Sequence, residues 1–350
     1  MILLKSNVAA SLDCTLSGVH RALQHAIELE HATLPTYLYA LYSLKPGKNE
    51  NIASLVLSVI MEEMLHMALA CNILNAIGGH PVIDKPNFIP AYPGPLPGGV
   101  ESGLQVPLSP FSIALIVVFM VIEAPEDPLH FPVKRAALAA GVQPPLTIGQ
   151  FYDGIKQQII ELSKKGNIFT GNPSYQLTKG FPASELIGVD DVTTASTAID
   201  TIVQQGEGTH RSPLDPQHEP AHYYRYAEIL YGKTLVRNTT PPPDFAYAGD
   251  AISFDQDGVY PVVTNPAPVG YAPGSAAAIH NDTFNYTYTK LLRTLHLVFN
   301  GHPDQLNAAI GLMESLKQLA FEMMSAIPAG QTRPGLNAGP SFQYNPTNQH

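Results

Sequence analysis

The chain has 350 residues, of which 45% are hydrophobic and 14% are charged, and its net charge is −10 at pH 7. This apolar content excludes a chain that is disordered throughout, and it suffices for a large core. The 19 Lys and Arg residues form no dense run, which argues against a protein that binds the phosphates of a nucleic acid.

The two cysteines are too few for a disulfide framework, and they favour a reducing compartment. The most apolar run, residues 111–122, is shorter than the ~20 residues that cross a bilayer. The sequence therefore predicts a cytoplasmic protein that binds neither a membrane nor a nucleic acid.

Helical patterns alternate with irregular connections along the chain. Residues 15–77 predict two helices separated by a short turn at 45–49. Six further helices are predicted at 110–123, 148–163, 191–207, 219–231, 275–300 and 303–327.

The connections are unusually rich in Pro and Gly. An Asp-Gly pair within residues 254–263 is flanked by β-forming residues and predicts a small β-hairpin. We predict a single domain over residues 1–330, with insertions at about 80–110 and 232–274 and an extended C-terminal arm at 331–350.

Ionisable residues interrupt the apolar faces of the first two predicted helices. Glu30 lies within an apolar stripe of the first helix, and Glu63 and His66 lie on the apolar face of the second. Glu30 and Glu63 are almost equally far from the connecting turn, so an antiparallel helix pair places them opposite each other. Because a buried carboxylate without a partner is unfavourable, we expect these groups to be neutralised or to bind a cation.

Glu63 and His66 also form an E-x-x-H pair, whose spacing brings an oxygen and a nitrogen ligand to one helical face. In dinuclear carboxylate bundles, two helices each give a Glu and two others each give such a pair. For the second half we favour Glu207 with His222, together with Glu123 at the end of an apolar helix. The alternative takes Glu207 as the third-helix ligand and pairs Glu219 with His222.

The charges of these residues favour bound metal. Four carboxylates balance two divalent ions, and ligands of Glu and His without Cys suit iron or manganese better than structural zinc. We predict two Fe or Mn ions, with the ligands Glu30, Glu63, His66, Glu123, Glu207 and His222.

Residues beside these ligands receive other interpretations. Glu62 points away from Glu63 by one helical step, which favours a surface position, with a supporting role behind the ligands as the alternative. Glu28 and His31 are assigned to a solvated face. Tyr37 is interpreted as a packing residue, with substrate positioning or redox chemistry as the alternative.

Six segments carry a resemblance to a known family, and in order they cover most of residues 18–325. The segments are AIELEHATLPTYLYALYSL, VIMEEMLHMALACNILNAIGG, FMVIEAPED, QQGEGT, AHYYRYAEI and FNYTYTKLLRTLHLVFNGHPDQLNAAIGLMESLK. They resemble the ferritin-like domain proteins named for iminophenyl-pyruvate dimer synthase, from bisindole pigment and antibiotic pathways. The resemblance implies an all-α, ferritin-like helical bundle with additional helices, and metal ligation at the six positions named above.

The predicted function is that of a dinuclear iron or manganese carboxylate oxidoreductase of secondary metabolism. It would act on a small organic metabolite with O2 or peroxide, and a homo-oligomer is left open. Two alternatives are retained: a dimanganese catalase-type enzyme, and a metal-binding or structural protein without turnover. A nucleophilic hydrolase is disfavoured because the sequence contains no G-x-S-x-G motif.

Overall fold

The structure is a computed structural model that describes residues 14–97, 104–125, 148–209, 212–238 and 244–347. Within these residues the chain forms eight α-helices and one two-stranded sheet. The helices are α1 (Leu16–Tyr42), α2 (Glu50–Ala76), α3 (Ile113–Ile122), α4 (Ile148–Ser163), α5 (Val192–Glu207), α6 (His222–Tyr231), α7 (Ala276–Val298) and α8 (Leu306–Ala326), and the strands are β1 (Lys233–Asn238) and β2 (Asp244–Ala251). The predicted all-α bundle with a small β-hairpin is confirmed.

Helices α1 and α2 form the central pair, and they contact each other more extensively than any other two described helices. Helix α4 packs on α1, α5 packs on α2, and α4 and α5 contact each other, which closes a four-helix arrangement. The short helices α3 and α6 pack together, and α6 also contacts α2. The ends of α3, α5 and α6 therefore meet beside the middle of the central pair.

The apolar composition of α2 matches its buried position in the bundle. Among the described helices, it alone has the length and apolar composition of a membrane-spanning segment. Every residue from Leu65 to Ala76 is nevertheless buried against other parts of the protein, and Glu63 and His66 face the interior. These are the properties of the core helix of a bundle.

The position predicted for the β-hairpin is wrong. The Asp-Gly pair lies in a turn over Gln256–Gly258, where the backbone N–H of Asp257 bonds to the Asp255 side chain. The β-forming residue Val259 then pairs with Leu44, in the connection between α1 and α2. The observed hairpin lies earlier, where β1 and β2 pair antiparallel.

Residues 341–345 of the predicted arm run along α7. Side chains of α7 accept hydrogen bonds from every second backbone N–H of this segment. The pairs are Ser341 with Asn281, Gln343 with Asn285, and Asn345 with Thr289, at 2.8–2.9 Å. Phe342 is buried between these bonds against Phe284 and Tyr288.

Candidate metal centre

Two groups of acidic and histidine side chains meet in the interior of the bundle. One contains Glu30, Glu63 and His66, and the other contains Glu63, Glu123 and His222. In each group, one potential ligand atom from every residue lies within 4.8 Å of the others. Glu63 belongs to both, so its carboxylate lies between the two groups. We refer to the five residues of the two groups together as the cluster.

Each side chain of these groups is placed by the start, the end or the inward face of a helix. Glu30 faces inward from α1, and Glu63 and His66 lie one turn apart on the buried face of α2. Glu123 is the C-cap of α3 and lies two residues before Pro125. His222 is the first residue of α6, after an extended Ala221.

The two imidazoles present the same ring atom to the carboxylates. Nδ1 of His222 lies 2.9 Å from Oε1 of Glu63 and 3.4 Å from Oε2 of Glu123. Nδ1 of His66 lies 3.7 Å from Oε2 of Glu30 and 3.9 Å from Oε1 of Glu63. Each Nδ1 is thus directed at the centre of its group.

The opposite nitrogen of each imidazole contacts an oxygen outside the two groups. Nε2 of His66 lies 3.0 Å from Oε1 of Gln205, and Nε2 of His222 lies 3.1 Å from Oε2 of Glu62. With Nε2 protonated, each ring donates this hydrogen bond and turns a lone pair on Nδ1 toward the carboxylates. Such a bond fixes the tautomer and orientation of a metal-binding histidine.

Each of the three carboxylates in the groups is also oriented by a hydroxyl. Tyr152 donates a 2.5 Å hydrogen bond to Glu30, and the Thr33 hydroxyl lies 2.8 Å from Oε2 of Glu63. Tyr37 donates a hydrogen bond to Oε1 of Glu123. Tyr152 and Tyr37 are fully buried, and burial raises the pKa of both phenols, so they remain hydrogen-bond donors.

The electrostatics of the cluster favour bound positive charge. Burial raises the pKa of Glu63 above its usual range, and the negative charges of the neighbouring Glu123 and Glu30 add to this shift. Burial opposes protonation of His222, but hydrogen bonds to Glu123, Glu62 and Glu63 outweigh it and raise its pKa well above the usual value. Both shifts favour positive charge or bound protons among the carboxylates, and a divalent cation at the same place would take over that role.

A cavity of about 40 Å³ adjoins the cluster. The volume suffices for one or two water-sized groups. The carboxylates of Glu30, Glu63, Glu123 and Glu207 line it, together with a wall of Leu29, Leu96, Ile122, Ile148, Ile202 and Val203. Leu96 comes from the Pro-rich insertion predicted at 80–110.

Of the six predicted ligands, the structure brings five together in the two groups. The sixth, Glu207, lines the cavity but belongs to neither group, and its Oε1 accepts a 2.8 Å hydrogen bond from the backbone N–H of Gly149. Glu219, the alternative to Glu123, is exposed and lies outside both groups. Its backbone closes a turn with Asp215 instead.

The surface position favoured for Glu62 is wrong. Its side chain is 17% exposed, and Oε1 lies 2.7 Å from Nη1 of Arg225 while Oε2 faces His222. The alternative, a supporting place behind the ligands, fits this geometry. The bond to His222 and the charges of His222 and Arg225 outweigh burial and lower the pKa of Glu62.

The solvated face assigned to His31 is also wrong. His31 is 3% exposed, its Nε2 lies 2.7 Å from the Tyr288 hydroxyl, and its ring packs on Phe88. Burial lowers the pKa of His31 to about 3. The segments that cover it, α7 and the 80–110 insertion, are distant in sequence, so the pattern of α1 alone could not reveal this burial.

The sequence analysis missed three residues that contact the cluster and one that contacts Glu62 behind it. They are Thr33, Tyr152, Gln205 and Arg225. Arg225 carried a usable signal, since it follows His222 by one helical turn on the buried face of α6. Tyr152 and Gln205 lie on the buried faces of α4 and α5 and resemble ordinary packing residues.

Comparison with known proteins identifies the family and similar folds. The family model described as ferritin-like matches residues 23–231, which include every residue of the two groups. A crystal structure of a ferritin-like protein from Caulobacter vibrioides superimposes with a TM-score of 0.58, covering 93% of this chain and 97% of that one at 24% identity. This similarity concerns the fold.

One curated relative is similar over nearly the whole chain. It is dichlorochromopyrrolate synthase from Lentzea aerocolonigenes, 25% identical over 398 aligned positions. The alignment covers 94% of this chain but 36% of the relative, so this chain spans about a third of the length of that protein.

Proposed function

The chain belongs to the ferritin-like family, and from this premise we propose that it is a dinuclear iron or manganese oxidoreductase. The resemblance predicted from the sequence motifs is confirmed at the level of that family. The proposal concerns the metals, the oxidant and the substrate class: two Fe or Mn ions, O2 or peroxide, and a small organic metabolite.

The single observation that supports the proposal best is the position of Glu63 between two sets of ligand atoms. One ion would be held by Glu30, Glu63 and His66, and the other by Glu63, Glu123 and His222. The donor set of buried carboxylates and neutral imidazoles fits iron or manganese. We retain Glu207 as a further ligand of the second ion because its carboxylate lines the same cavity.

When bound, the ions would supply the binding and activation of O2 or peroxide. The protein's own residues have other tasks. Tyr152, Thr33 and Tyr37 each hold one carboxylate in a fixed orientation, which lowers the reorganisation needed during turnover. The aliphatic cavity wall limits the access of bulk water to the cluster.

The relative named above supports the proposed class of substrate. It is named as the synthase of an organic product. The cavity of about 40 Å³ has room for small groups such as the oxidant. We therefore propose an organic metabolite, in preference to peroxide acting as the only substrate.

The test is oxidant consumption by the reconstituted protein. The purified protein is loaded anaerobically with Fe2+ or Mn2+ and then given O2 or peroxide, with and without a panel of aromatic amino acids and pyrrole carboxylates. The proposal predicts that an organic compound stimulates consumption of the oxidant, and that His222→Ala abolishes this while the exposed His302→Ala does not.

Two results would replace the proposal with one of its alternatives. Rapid dismutation of peroxide by the Mn2+ form without an organic compound would identify a catalase-type enzyme. Two bound metals with no consumption of either oxidant under any of these conditions would identify a metal-binding protein without turnover.

A further inference from the structure

The two halves of the cluster differ in the partner behind each imidazole. His66 bonds through Nε2 to Gln205, which is a neutral amide, whereas His222 bonds through Nε2 to Glu62, which is a carboxylate. We infer that the two metal positions have unequal affinity, and that the half containing His222 binds a divalent metal more tightly because Glu62 strengthens its imidazole ligand. The inference rests on the metal centre of the proposed function.

Both supporting groups are held in one orientation, so the difference between them is built into the fold. Nη1 of Arg225 binds Oε1 of Glu62 at 2.7 Å, which leaves Oε2 for His222. The Gln205 amide nitrogen lies 3.4 Å from Glu185, which turns the amide oxygen toward His66. Glu62 could turn away from His222 only by breaking its contact with Arg225, and Gln205 could turn away from His66 only by breaking its contact with Glu185.

A carboxylate strengthens an imidazole ligand more than an amide does. The anion accepts a stronger hydrogen bond from Nε2–H, which places more electron density on Nδ1, the atom directed at the metal position. Loss of such a partner commonly lowers metal affinity about 10- to 100-fold. His222 is fully buried and Arg225 is 4% exposed, so bulk water screens this interaction weakly.

Arg225 requires a separate control because it carries the opposite charge. Replacing Glu62 alone would leave a buried guanidinium unpaired beside the cluster, and its repulsion of a metal would imitate the predicted effect. The double variant Glu62→Gln/Arg225→Met removes both charges and keeps a hydrogen-bond acceptor for His222. It therefore reports the contribution of the carboxylate itself.

The experiment measures each half alone, because two bound cations repel each other and would produce unequal binding steps even in a symmetric centre. His66→Ala disables one half and His222→Ala disables the other. Metal-free protein is titrated with Co2+, bound metal is measured by equilibrium dialysis, and its ligand field is followed by visible absorption. Circular dichroism and thermal unfolding verify that each variant is folded.

We expect His66→Ala to bind its Co2+ about 10- to 100-fold more tightly than His222→Ala. Adding Glu62→Gln/Arg225→Met to His66→Ala should remove most of that advantage, while Glu50→Gln, an exposed change in the first turn of α2, should leave it intact. Adding Gln205→Glu/Glu185→Gln to His222→Ala should tighten the remaining half, because the second change removes the carboxylate that would repel the new one. This gain keeps the inference testable if the Glu62/Arg225 variant fails to fold.

Equal affinities in the two halves, or an advantage that survives Glu62→Gln/Arg225→Met, would overturn the inference while leaving the metal centre in place. A protein that binds no Co2+ in either half would overturn the inference together with the proposed function. The two failures are thus distinguishable.

Discussion

The hydroxyl of Tyr152 donates a 2.5 Å hydrogen bond to Oε1 of Glu30, which joins α4 to α1 inside the bundle. Both side chains are buried, and no basic residue other than His66 forms an ion pair with Glu30 among the described residues. The phenol is therefore a principal hydrogen-bond donor to a buried carboxylate. The bond stabilises the bundle and also fixes the position of the Glu30 carboxylate in the cluster.

Replacing Tyr152 with Phe should lower the free energy of unfolding of the metal-free protein by about 1.5–3 kcal/mol, because a hydrogen bond to a charged group is lost. Urea unfolding measures the change. The control is Tyr286→Phe, at a half-buried tyrosine of α7 beside Lys290, for which we expect a change within about 0.5 kcal/mol. Equal effects of the two substitutions would show that the bond to Glu30 contributes nothing particular.

The sequence predicted the part of the cluster that comes from helical periodicity. Glu30, Glu63 and His66 interrupt apolar stripes, and the register of two antiparallel helices placed them together. Tyr152 and Gln205 escaped because a polar residue on an otherwise apolar face has no distinguishing pattern until its partner is known. Glu62 was misassigned because α6, whose Arg225 and His222 cover it, packs on α2 only in the tertiary fold.

His31 predicts a pH dependence of stability. Burial lowers its pKa to about 3, whereas an unfolded chain binds a proton with the ordinary value of about 6.5. The contribution of the buried, neutral His31 to the free energy of unfolding is therefore fully present above pH 6.5. It is lost progressively as the pH falls from 6.5 toward 3. Each pH unit in this window costs about 1.4 kcal/mol for one proton.

The measurement is the unfolding free energy of the metal-free protein between pH 7 and pH 4.5. We expect His31→Gln to have a shallower decline than the wild type, by one proton. Tyr288→Phe is the matched control, because it breaks the 2.7 Å contact to His31 but leaves the imidazole buried. It should lower stability at every pH and keep the wild-type slope, and identical slopes for all three proteins would contradict the prediction.

Gly171 predicts a packing requirement at the C-terminal end of α2. A Cβ atom at this position would lie 1.7 Å from the backbone oxygen of Asn75, and the Gly171 N–H bonds to the oxygen of Ala76. Gly171→Ala should therefore lower the thermal unfolding temperature, with an unfolding free energy reduced by about 1–3 kcal/mol. Gly166→Ala lies in the same connection with open space around it, and we expect a change within about 0.5 kcal/mol.

As with the cluster, the features of the fold that depend on local sequence patterns were predictable, and those that depend on contacts between distant segments were not. The start of α5 follows from a local signal, the Asp191 capping box. The hairpin was misplaced because an Asp-Gly pair specifies a turn but not the partner of the residues that follow it. Val259 pairs with Leu44, which is distant in sequence, and no local sequence pattern predicts that pairing.

The most direct measurement of the central claim is the metal content of the folded protein by elemental analysis. After reconstitution with Fe2+ or Mn2+ and removal of loose metal, the account predicts two ions per chain. Because Glu63 belongs to both groups, Glu63→Gln should lose both ions, whereas Glu50→Gln on the same helix should retain them. A folded wild type without metal, or a Glu63→Gln variant that keeps both ions, would contradict the account.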